Sequence, residues 1–168
     1  MSPSRRAGPG HSPAPSRRGL PVLVALHGRT GSHTDAYCKL HLDEVLAHLV
    51  ERGAAPFAIA SVDGGDHDYW HPRRDTDPAG MVAHEFLPLL AAHGLDTRRP
   101  GFLGWSMGGY GALYPATVLG AARCGVAIAA SAAIWHRADR AGRTRLRRRA
   151  PLTGGPATPR RRPRGSRR

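Results

Sequence analysis

The chain is poor in cysteine, with only Cys38 and Cys124 in 168 residues. Two thiols make no disulfide framework, so nothing in them argues for an oxidising compartment. Both read as ordinary buried or half-buried thiols. No run of 18 or more apolar residues occurs, which leaves no candidate for a membrane-spanning helix. Arg17-Arg18 ahead of Leu20-Pro21-Val22-Leu23-Val24-Ala25-Leu26 has the outline of a twin-arginine export signal. The apolar run is short, however, and ends in His27-Gly28 without a small-residue cleavage site. A buried strand is the better reading, and the expected compartment is the cytoplasm.

Carboxylates are missing from both ends. Residues 140–168 hold twelve arginines and no acid, and residues 1–18 hold four arginines and no acid. The net charge of +13 therefore resides in the ends, and residues 19–139 are mildly acidic. A nucleic-acid partner inferred from the whole-chain charge would be an error of averaging. Residues 1–19 are rich in Ser, Pro, Gly and Arg, and residues 140–168 carry only Leu146 and Leu152 as large apolar side chains. Neither stretch can bury a core, so both are expected to be disordered arms around one domain spanning 20–139.

Within that domain, apolar runs alternate with helical stripes. Strands are predicted over 20–26, 57–62, 101–105 and 124–130. Leu42, Val45, Leu46, Leu49 and Val50 recur at helical spacing, with Gly53 as a stop. A second helix is predicted over 79–93, kinked or split by Pro88, and a third over 107–119. The stretch 63–78 reads as a polar, aromatic loop. Such alternation implies a mostly parallel sheet flanked by helices, an α/β fold. Ligands in such sheets bind beyond the carboxyl ends of the strands. His27-Gly28-Arg29, Asp63-Gly64-Gly65 and Ser106 all fall there.

Gly104-Trp105-Ser106-Met107-Gly108 spells G-x-S-x-G between a predicted strand and a predicted helix. This context turns a weak pattern into a nucleophile elbow, with the serine hydroxyl raised on a tight turn. A serine alone is a poor nucleophile; it needs a base, and amides aimed at the developing oxyanion. The Met107 amide, opening the helix, is one natural donor. The Arg29 amide, in the loop after His27-Gly28, is the candidate for the second. His27 itself is read as shaping that loop by hydrogen bonding. The acids and histidines of 63–71 match no metal-ligand spacing. They read as a loop lining the site through Tyr69 and Trp70, with Asp63 and Asp66 accepting loop amides. No metal or cofactor is expected.

Several blocks carry a family resemblance: Leu26-His27-Gly28-Arg29-Thr30-Gly31-Ser32, Ser61-Val62-Asp63-Gly64-Gly65-Asp66, Tyr69-Trp70-His71-Pro72-Arg73, Glu85-Phe86-Leu87-Pro88-Leu89-Leu90, and Leu103 through Leu113. Over residues 20–135 the chain resembles the α/β-hydrolase superfamily, in the esterase group that also holds the antigen 85 mycolyltransferases. The resemblance implies Ser106 as nucleophile, Arg29 and Met107 as oxyanion donors, and a small-molecule acyl ester as substrate for hydrolysis or acyl transfer. Tyr69, Trp70 and Trp105 are the expected substrate-lining aromatics. Pro88 becomes a tolerated family feature.

The departure lies after the elbow. A hydrolase of this fold needs an acid and then a histidine following the serine. Here only His136 and Asp139 follow, in reversed order. The expected fold is therefore a truncated α/β-hydrolase, and the expected activity is impaired. Arg, Pro, Gly and Ala are residues whose codons can be wholly G and C, so the tail reads as an out-of-frame end. The alternative is a non-enzymatic basic protein that binds nucleic acid or an anionic surface through its arginines. The tail lacks aromatics for base stacking, which disfavours that reading. Oligomeric state is not legible.

Overall fold

The structure is a computed structural model that describes residues 18–134. The expected arms, together with His136 and Asp139, lie outside the described residues.

Four parallel strands form one sheet in the order β2-β1-β3-β4. They are β1 (Pro21–Leu26), β2 (Ala58–Ser61), β3 (Asp96–Trp105) and β4 (Val126–Ala130). β1 is central because it is apolar nearly throughout. Val22, Val24, Ala25 and Leu26 are buried, so both of its faces need cover. Its register against β3 pairs Leu26 with Gly104, which sets the end of β1 beside the predicted elbow.

Two elements differ from the sequence expectation, and a third is split as Pro88 led one to expect. β3 begins at Asp96, not at 101, because Asp96 pairs with Pro21 and its N–H donates to the Leu20 carbonyl at 2.8 Å. The register shifts between Pro21 and Leu23, as an irregularity near Pro100 requires; a proline has no N–H for the ladder. Polar Thr97-Arg98-Arg99 hid this extension. The predicted helix over 79–93 is split into α3 (Pro78–Met81), a π-helical turn (Val82–Phe86) and α4 (Leu87–Ala92). The Leu87 N–H reaches back five residues to the Val82 carbonyl, immediately before Pro88. A π-turn absorbs the donor that proline lacks. A short α1 (Asp35–Cys38) was not anticipated; four residues are too few to show periodicity.

The helical stripe at 42–50 does form α2 (Leu42–Glu51), yet none of its residues is buried. Val45, Leu49 and Val50 stand 39–50% exposed, since α2 touches little beyond α1 among the described residues. α5 (Met107–Leu119) packs across β3, β4 and β1. The core lies between that helix, the α3–α4 segment and the sheet, around Val24, Leu26, Trp70, Val82, Phe102, Met107 and Ala112.

Phe102 has no exposed surface. Phe102→Ala is expected to cost about 3–5 kcal/mol, a large fraction of a domain's stability. Val118→Ala, at a 63% exposed position, should stay within about 0.5 kcal/mol. Urea unfolding of both variants checks the contrast.

Candidate active site

The rim at the carboxyl ends of the strands is assembled by glycine. β3 runs into Ser106 and α5 leaves at once from Met107. Ser106 adopts φ 52°, ψ −115°, a conformation that costs an L-residue about 1–3 kcal/mol. The turn survives because its surroundings hold it. The Ser106 N–H donates to the Ala130 carbonyl at 3.0 Å, and the Ser106 carbonyl accepts the Ala133 N–H at 3.0 Å. A Cβ on Gly104 would collide with the Gly108 backbone, and one on Gly108 would collide with the Leu26 carbonyl. Both motif glycines are therefore steric necessities of the turn.

The β1 loop is seated against this elbow. A Cβ on Gly28 would lie 3.1 Å from Trp105 Nε1 and 3.5 Å from the Trp105 carbonyl. Within the loop the Thr30 N–H is taken by the Asp66 carbonyl and the Gly31 N–H by the Gly28 carbonyl. The Arg29 N–H has no acceptor among the described residues. Met107 is the first residue of α5, so its N–H also has no acceptor within the helix. Arg29 thus follows β1 and Met107 follows β3, at the carboxyl ends of neighbouring strands.

His27 organises the loop. It is 1% exposed, and its Nε2 accepts the Gly64 N–H at 3.1 Å. That bond requires a bare Nε2, so the ring proton sits on Nδ1, which donates to the Gly28 carbonyl at 2.8 Å. Both ring nitrogens are engaged, Nδ1 within its own loop and Nε2 in joining the end of β1 to that of β2. Trp70 completes the joint. Its Nε1–H donates to the His27 carbonyl at 3.1 Å, and its ring meets His27 edge-on at 5.1 Å. The same ring fills the space a Cβ would take at Gly64 and at Gly111.

The aromatics predicted to line the site are placed unequally. Trp70 is 1% and Tyr69 5% exposed, so they form a floor beneath the rim. Trp105 is half-buried and keeps surface beside Gly28. Tyr69 packs edge-on against Tyr110, one turn along from Ser106. Both Tyr69 and Trp70 have φ 54°, a left-handed conformation that sequence reasoning did not anticipate. Burial pushes the Tyr110 hydroxyl above its usual 10.0, so it stays neutral in ordinary buffers.

Sequence reasoning also missed His33. Asp63 accepts the His33 N–H at 2.6 Å and the His33 Nδ1–H at 2.9 Å. The ring hydrogen bond, first of all, holds the Asp63 carboxyl below its usual 3.8. The His33 amide is a loop-amide bond of the kind expected of Asp63, and nothing local in sequence links residues 30 apart. A cleft of about 580 Å³ opens nearby, lined by residues from Asp63 to Asp68 and from Thr76 to Glu85, and Ser106 is not among its lining residues. Among the described residues, no three His, Cys, Asp or Glu side chains are grouped to hold a metal ion.

Comparison with known proteins gives this rim a context. A family model named Esterase, described as "Putative esterase", matches residues 8–151. The chain belongs to the Esterase family. A solved ferulic acid esterase is similar to this esterase-family chain at 25% identity with a TM-score of 0.61. The match covers 69% of this chain and 46% of that one, so this chain spans less than half the length of that structure. No curated protein sequence matches it. The parallel sheet with flanking helices is the α/β arrangement expected of a shortened esterase fold.

Two outcomes are expected. Ser106→Gly relieves the strained backbone and should exceed Ser106→Ala in stability by about 1 kcal/mol in thermal or urea unfolding. Asp63 titrates lower in the folded chain than in the unfolded one. Its contribution is therefore fully present above pH 3.8 and is lost as pH falls through the depressed folded value. The stability gap between the wild type and Asp63→Asn should be flat above that pH and close below it. The pair is exposed, so the gap is small.

Proposed function

We propose that the chain carries the nucleophile half of a serine esterase site acting on small-molecule acyl esters. The observation that carries this reading is the strained, exposed Ser106 at the head of α5, with the unengaged Arg29 amide on the neighbouring strand end. Ser106 Oγ would attack the ester carbonyl and pass its proton to solvent water, which returns a proton to the departing alkoxide when the intermediate collapses. The Arg29 and Met107 N–H groups would take the negative oxygen of the tetrahedral intermediate. Collapse expels the alcohol and leaves an acyl-serine. Water then gives hydrolysis, or a second alcohol gives acyl transfer. Trp105 is the aromatic with surface to meet substrate, over the Tyr69–Trp70 floor.

The proton acceptor is the weak link. His27 is committed to the backbone through both ring nitrogens. After Ser106 the chain offers only His136 and Asp139, in the reverse of the order the fold uses. Turnover by this chain is therefore slow. A triad-less site still retains roughly 10³–10⁴-fold over water from its oxyanion hole and binding.

The test is hydrolysis of a short-chain aryl ester by purified chain, beside Ser106→Ala. Slow release above background that disappears in Ser106→Ala is the expected outcome. Equal rates for the two proteins would remove Ser106 from the chemistry. Rapid turnover abolished by Ser106→Ala would show that a base is present after all.

A further inference from the structure

The Arg29 N–H cannot be aimed on its own. It shares one planar trans peptide unit with the Gly28 carbonyl, so the two groups point in opposite directions from a single plane. Whatever holds that carbonyl also aims the amide. The His27 Nδ1–H donates to it at 2.8 Å and the Gly31 N–H at 3.1 Å. The Gly31 bond is a turn inside the loop and moves with it. The His27 bond ties the peptide to a ring that is held from outside the loop. On its other side the same stretch lies on the elbow, where a Cβ on Gly28 would be 3.5 Å from the Trp105 carbonyl.

Contacts from distant parts of the chain hold that ring. The Gly64 N–H donates to Nε2 at 3.1 Å, which keeps the ring proton on Nδ1, the side that faces Gly28. The Trp70 ring meets the imidazole edge-on, and Trp70 Nε1–H holds the His27 carbonyl at 3.1 Å. That carbonyl is also approached from α5, where a Cβ on Gly108 would lie 2.6 Å from it. Trp70 cannot drift, since its ring fills the space beside both Gly64 and Gly111. His27 and Trp70 are each 1% exposed, so neither has surface with which to touch a substrate.

We infer that Trp70 and His27 are positioning residues that aim the Arg29 N–H. Trp70 fixes His27, His27 Nδ1–H fixes the Gly28 carbonyl, and peptide planarity carries that direction through to the amide. Trp70 then serves an ester through the amide and not by contact with it. The consequence for rate rests on the esterase reading; the direction of the amide does not. The ring nitrogens of His27 have separable duties: Nδ1 aims the peptide, and Nε2 joins the end of β1 to that of β2.

Substitutions on the full chain separate those duties. His27→Asn sets an amide N–H where Nδ1–H stands and gives up the bond to Gly64. His27→Gln reaches the Nε2 position, accepts from Gly64 and leaves the Gly28 carbonyl without its side-chain donor. Trp70→Phe keeps ring bulk and removes Nε1–H. Backbone N–H residual dipolar couplings read the direction of each amide with no need of activity. The Arg29 coupling should depart from wild type in His27→Gln and Trp70→Phe while those of β1 and β3 stay, and should stay in His27→Asn. These two variants reach the peptide through different bonds, so either decides if the other fails to fold. An Arg29 coupling unchanged in both, or changed in His27→Asn alone, would overturn the inference. Ser106-dependent release of an aryl alcohol should fall about tenfold or more in His27→Gln and Trp70→Phe, and stay near wild type in His27→Asn. The loss should be equal for acetyl and octanoyl esters, which present the same carbonyl oxygen. A loss in Trp70→Phe that grows with acyl length would place Trp70 against the substrate and overturn its positioning role. A wild type no faster than Ser106→Ala would remove the esterase reading and leave the couplings to decide the positioning.

Discussion

Gly108 packs its backbone directly against the carbonyls that end β1. A Cβ at that residue would collide with the Leu26 carbonyl and crowd that of His27. Everything on the rim depends on that contact. It fixes how near α5 starts to β1, and so how near the Met107 amide lies to the Arg29 loop. The elbow must be tight enough to allow it, which demands a second glycine at Gly104 and a left-handed Ser106 between them. The backbone strain at the serine is thus the consequence of packing a helix terminus onto a strand terminus with no side chain between.

A second layer holds that geometry from below. His27 and Trp70 together bond the ends of β1 and β2 and the first turns of α5 into one unit. Each of their polar atoms has a partner, and the described residues contain no buried side-chain nitrogen or oxygen without one. Such a network is rigid because breaking any bond strands a desolvated group, at about 1–3 kcal/mol each. The arrangement holds the loop after β1 against the loop after β2, with both ring nitrogens of His27 engaged.

The outer parts of the fold are less finished than the rim. α2 keeps an apolar stripe exposed, and among the described residues β4 has a strand neighbour on one side only. Burial is concentrated where β1, β3, α5 and the Trp70 loop converge, and thins toward both flanks. Among the described residues the sheet has four strands.

The sequence alone determined the alternation of strands and helices, the parallel sense of the sheet and the placing of Ser106 on a turn. Those features follow from hydrophobic period and from glycine, both local properties. It also determined that Pro88 would interrupt a helix, though not that a π-turn would be the solution. Only the tertiary structure decided which side chains share the rim. The His27–Gly64 bond, the Trp70 joint and the His33–Asp63 pair join residues tens of positions apart, and no periodicity encodes them. It likewise decided that Tyr69 and Trp70 are floor and not wall, because burial depends on what the rest of the chain places on top. The polar start of β3 and the exposed stripe of α2 make the same point from opposite sides. A strand is made by its neighbour's ladder, and an apolar face is buried only where another element arrives to cover it.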